Sequence, residues 1–275
     1  MSITRAAMRA LLDIITDHPY KGTTSGAGED DKKSFVDEGL GAYPDRWFKN
    51  KSAYLPATSE ERITVGSHAP EGVIQVSAPF ASVVAITTAY EIHSIPGMVA
   101  LKNDALNKAL RECFPRYYKY LVDETLVGKG SGDNTYSIPV AFAREFPSQL
   151  WLKRVNGTKT ELTLGDVDYF LESDGVRKFV ADISPDYTIR LVGRATLTQF
   201  TTDVSTTELS ETQADVVCYK AAALLYMALR GERNSAEDVS RYEGLQQEKE
   251  MYYEVHSRRE GMPAIRRRPM RITWA

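Results

Sequence analysis

The sequence predicts an α+β protein: a helical core with helices near 103–125, 211–230 and 235–259, joined by two antiparallel β modules. Three observations carry that prediction. Ser210-Glu211-Thr212-Gln213 is a capping-box start, and it opens an alanine-dense run that Gly231 closes. Residues 34–93 and 135–197 break into short segments rich in β-branched and aromatic residues, punctuated by Pro, Gly and Ser. No helix long enough for a crossover separates these segments, so their strands pair antiparallel. The domain organisation follows: 1–100, a helix plus a β module; 101–260, helices with an inserted β module at 135–197; and 261–275, an extended basic arm.

Residues 1–17 read as a short amphipathic helix with Ile3, Ala6, Ala7, Ala10, Leu11 and Ile14 on one face, ending near His18-Pro19. Residues 21–33 are Gly, Ser, Thr and acidic, the composition of a loop. Strands are expected around Phe35-Val36, Ala53-Tyr54-Leu55, Glu61–Val65, Gly72–Val76 and Ala89–Ile92. Asn103 or Asp104 caps a helix through Ala105, Leu106, Ala109, Leu110 and Cys113, continuing past Pro115 to Leu121 with a kink. The second β module has strands near Tyr136, Gln149–Leu152, Tyr169–Leu171, Lys178–Val180 and Thr188–Val192. Asn156-Gly157 and Asp174-Gly175 supply its hairpin signals. Ala214, Ala221, Ala222 and Ala223 let neighbours approach closely, so the helix at 211–230 is expected to be buried around most of its circumference. The next helix carries a stripe at Val239, Tyr242, Leu245, Tyr252 and Val255 on an otherwise charged surface, which fits packing against its predecessor. Pro263 and Pro269 forbid a helix in the arm.

Composition narrows the function classes. A charged fraction of 26% and a hydrophobic fraction of 43% are those of a folded chain. The net charge of −3 argues against a molecule that binds polyanions with its whole surface, so the arginines of the arm are a local feature. Cys113 and Cys218 sit amid apolar neighbours and are expected as buried free thiols. No run of eighteen apolar residues suggests a membrane span, and the chain reads as cytosolic.

Catalytic patterns are missing. His18, His68, His93 and His256 show no ligand spacing, and Gly66-Ser67-His68 lacks the nucleophile elbow. Gly128-Lys129-Gly130-Ser131-Gly132 has neither the order nor the context of a phosphate loop and reads as a turn. Glu29-Asp30-Asp31 reads as a solvated face rather than a metal site. Neither an enzyme nor a bound cofactor or metal is expected.

The order of the segments resembles the head-to-tail connector (adaptor, or neck) proteins of tailed bacteriophages. Three stretches carry the likeness. Phe35–Leu40, Glu60–Thr64, Gly72–Phe80 and Tyr90–Ile92 look like a neck-protein β module. Asp104–Val122 with Tyr136–Pro139 look like a linking helix and its following strand. Thr188–Arg194, a Thr/Asp linker and the alanine-rich helix look like the closing part of an adaptor subunit. One departure is Thr87-Thr88-Ala89 in place of a tight glycine-aspartate turn before Tyr90-Glu91.

The resemblance implies a structural protein of the virion neck, made in the host cytoplasm. It implies a homo-oligomeric ring of about twelve subunits built by heterologous contacts. The ring would dock on the portal protein, meet the next neck or tail protein, and pass DNA non-specifically through its lumen. Ile265, Arg266, Arg267, Arg268, Met270, Arg271 and Trp274 would then dock the portal, with Arg forks and a buried aromatic as anchors. Val239, Tyr242, Tyr252 and Tyr253 are the subunit-interface candidates. A tail-completion or tail-nozzle protein, and a nucleic-acid binder using the basic arm, stay open as alternatives.

Overall fold

The computed structural model describes residues 2–16, 18–68, 71–130, 134–142, 145–154, 159–161, 167–172, 175–231 and 235–260. In chain order its elements are β1 (Ile3–Thr4), α1 (Arg5–Ile15), β2 (Tyr20–Thr23), β3 (Ser34–Val36), β4 (Ser52–Leu55), β5 (Glu60–His68), β6 (Val73–Val76), β7 (Ala89–His93) and α2 (Met98–Glu112). There follow β8 (Lys119–Val127), β9 (Thr135–Ser137), β10 (Gln149–Arg154), β11 (Lys159–Glu161), β12 (Asp168–Leu171), β13 (Arg177–Val180), β14 (Tyr187–Ala195), β15 (Thr206–Thr207), α3 (Glu211–Gly231) and α4 (Ala236–Glu260). The fold is mixed, with four helices and antiparallel sheets among the described residues. It divides into two compact units, Met1–Glu112 with Gln199–Glu260, and Cys113–Thr198. The boundary expected between residues 100 and 101 falls inside α2, which groups with the other helices in the first unit.

In the first unit the sheet order is β2-β7-β4-β5-β6-β3. Strand β5 is shared: residues 60–63 pair with β4, and after an irregularity between Thr64 and Gly66 the strand pairs with β6. Such a register break bends a strand and lets it serve two ladders. Phe35, Phe48, Leu55, Ile74, Tyr90 and Ile92 fill the core beneath it. Residues 21–23, expected in a loop, form β2, because Tyr20–Thr23 finds a complete antiparallel partner in β7. Burial alternates along it, Tyr20 and Gly22 half-buried and Lys21 and Thr23 exposed, but over only four residues, so the sequence shows little sign of it.

Helix α3 is the hub of this unit. It packs against α1, α2 and α4, and Ala214, Ala221, Ala222 and Ala223 are buried, the first three fully so. Its start is the expected capping box: the Ser210 amide donates to Gln213 Oε1 at 3.0 Å, and the Gln213 amide donates to Ser210 Oγ at 3.3 Å. Helix α4 runs antiparallel to α3. Lys220 meets Glu250 midway along the pair, and Arg230, at the end of α3, meets Glu243, nearer the start of α4.

Helix α2 departs from its expectation at both ends. It begins at Met98, and Glu61 of β5 caps it by accepting from the amides of Val99 (3.0 Å) and Ala100 (3.1 Å). A carboxylate at a helix N-terminus satisfies orphan donors and faces the positive end of the dipole. This cap comes from another element, so Asn103 and Asp104, the local candidates, lie inside the helix instead. The helix stops at Glu112, three residues before Pro115, and Lys119–Val127 form β8 rather than a continuing helix. Proline disfavours helical geometry in the residue before it, and the pairing of β8 with β14 decides the rest.

The second unit is a sandwich of two sheets, β11-β10-β14-β8 and β12-β13-β9. Leu150, Ile189 and Leu191 from one sheet and Tyr136, Tyr169 and Phe179 from the other share one core. Hairpin partners flank both expected turns: Lys153 pairs with Lys159, and Leu171 with Arg177. Within the glycine-rich loop, the amides of Gly128 and Gly130 donate to the carbonyls of Tyr187 (2.9 Å) and Ile183 (3.0 Å), so they serve a turn. Residues 131–133 of that loop lie outside the described residues.

Candidate functional site

Helix α1 is turned inside out relative to its amphipathic reading. Thr4 caps it, its hydroxyl accepting from the Ala7 amide at 3.2 Å. Arg5, Arg9 and Asp13 recur every four residues and so share one face, and that face is buried together with Met8 and Leu12. Ala6, Ala7 and Ala10 face outward, and Ile14 is 65% exposed. Only Ile3, in β1, is buried from the expected apolar set. The reason is tertiary: the surfaces under α1 are charged, and they bind its polar stripe.

Two clusters hold that stripe. In the first, Asp203 receives Arg5 Nε at 2.8 Å, Arg9 Nη1 at 2.8 Å and Arg9 Nη2 at 2.9 Å, together with the Tyr54 hydroxyl. The Arg9 guanidinium also lies 4.6 Å over the Tyr54 ring. Burial pushes the Asp203 carboxyl up, but the hydrogen bonds from Arg9 and Tyr54 and the charge of Arg9 prevail and hold it well below the usual carboxylate range. The Tyr54 hydroxyl is raised by burial and by donating to that carboxylate.

The second cluster is a closed ring of side chains from four elements. Lys102 of α2 donates to Asp13 Oδ1 at 2.7 Å and lies 3.5 Å from His93 Nδ1. An ammonium has no acceptor, so this contact fits an imidazole that carries its proton on Nε2, which faces Glu91 Oε2 at 3.3 Å. Lys21 closes the ring, 3.1 Å from Glu91 Oε1 and 3.2 Å from Asp13 Oδ2. Burial raises the Glu91 carboxyl, but the His93 hydrogen bond and the bonds and charge of Lys21 outweigh it and bring it to about 2. His93 and Lys102 are both fully buried. This ring fixes α1 to β2, β7 and α2. Among the described residues no three His, Cys, Asp or Glu side chains converge as a metal site.

With its charges engaged inward, α1 presents a nearly uncharged outer surface. The Ala6 amide donates to the Asp203 carbonyl at 3.1 Å, which brings Val204, 82% exposed, beside the first turn. A second apolar surface lies on α4, where Met251 and Val255 are exposed and Tyr252 stacks on Tyr219 and His256. Helices α1 and α4 each pack on α3 rather than mainly on one another, so these surfaces are separate.

The four sequence-selected residues of α4 divide between the inside and outside of the chain. Tyr253 is buried, with Lys220 over its ring, and so faces its own chain. Tyr242 stacks on Tyr226 at the mouth of a cleft of about 150 Å³, and Val239 is half-buried. Tyr252 stays partly exposed. The buried line therefore runs through Tyr253 rather than Tyr252. The arm residues Ile265, Arg266, Arg267, Arg268, Met270, Arg271 and Trp274 lie outside the described residues. Sequence reasoning missed Asp13, Lys102, His93 and Asp203. The signal available was the four-residue spacing of Arg5, Arg9 and Asp13, a polar stripe as regular as the apolar one. No family model matches the chain, and no curated protein matches it in sequence.

Proposed function

We propose that the chain is a structural subunit of the head-to-tail connector of a tailed bacteriophage, assembling as a ring on the portal and joining it to the tail. One observation carries this reading: the inverted helix α1, whose ionisable side chains are tied into the chain while Ala6, Ala7, Ala10 and Ile14 face outward. A closed ring needs two different faces per subunit that meet head to tail. The α1 surface and the separate Met251/Val255 surface of α4 are candidates of that kind. The ionisable side chains of α1 are tied into buried ion pairs that hold the subunit together, which fits a building block. The basic arm at 261–275 would add portal contacts through its arginines and Trp274.

The test mixes the full chain with a portal ring and follows native mass and negative-stain images. The expected result is a complex of fixed subunit ratio with the chain as a ring on the portal. Deleting 261–275 should leave the helical signal intact and abolish attachment. A chain that ignores portal but caps tail tubes would move the protein to the tail. A chain that does neither, and instead shifts DNA at low salt, would refute the structural reading.

A further inference from the structure

We draw no further inference here: the strongest candidate, the surface patch on the turn of residues 43–51 that exposes Trp47 among Arg46, Lys49 and Lys51, carries nothing because the exposed carboxylate of Asp45 shares the turn and nothing in the structure shows what covers it.

Discussion

Replacing Asp203 by Asn keeps the shape of the side chain and removes its charge, leaving the Arg5 and Arg9 guanidiniums facing one another. Arg5 is 9% exposed and Arg9 3%, so water cannot replace the lost carboxylate. Four guanidinium contacts of 2.7–2.9 Å converge on Asp203, and breaking a buried pair by removing one partner costs about 3–5 kcal/mol. For a unit of this size each kcal/mol moves Tm by about 2–4 °C, so the expected fall is roughly 6–20 °C. Among the described residues all four α-helices lie in the first unit, so the helical circular dichroism signal in a urea titration isolates its transition from that of the sandwich. The control is Arg5→Met with Arg9→Met and Asp203→Leu, which removes every charge together. Buried ion clusters replaced by apolar residues of similar volume are often neutral or stabilising, so this variant should fall within about 2 kcal/mol of the natural chain. A loss below about 1 kcal/mol for Asp203→Asn, or a triple variant as damaged as the single one, would refute the account of why α1 is inverted.

Other outcomes follow from the same geometry. Glu91 is held near 2, below its ordinary value of 4.5. The stability it contributes is therefore complete above about pH 4.5 and lost as pH falls from there toward 2, a difference of about 3 kcal/mol. Asp203 is lowered too and acts in the same direction. Glu91→Gln should flatten acid unfolding in this window, and an acid midpoint equal to that of the natural chain would contradict the assignment. Gly72→Ala should destabilise the first unit by at least about 2 kcal/mol in the same titration. Its φ is +67°, and a Cβ there would lie 1.9 Å from the Asp37 carbonyl oxygen. Ala222→Leu should cost about 1–3 kcal/mol by overpacking a fully buried position of α3. An unchanged melt would mean that this helix face has room to spare.

What the sequence determined by itself was local. The capping box at Ser210 and Gln213, the breaks between strands, the hairpin pairings of β10 with β11 and β12 with β13, and the α3–α4 pair all follow from signals within a few residues of one another. Their physics is short-ranged: a side chain reaching a nearby amide, or a turn setting its own register. The tertiary structure decided what depends on partners distant in the chain. Glu61 caps α2 from 38 residues away, and β2 exists because β7 offers it a ladder. Helix α1 had two plausible faces, one apolar and one charged. Periodicity shows that both exist, and the apolar one is the ordinary choice for burial. Asp203, 194 residues from Arg9, and Lys102, 89 residues from Asp13, supply opposite charges that make burial of the charged face the stable choice. Electrostatic partnership in three dimensions, absent from any local window, thus determines which face of α1 the protein presents.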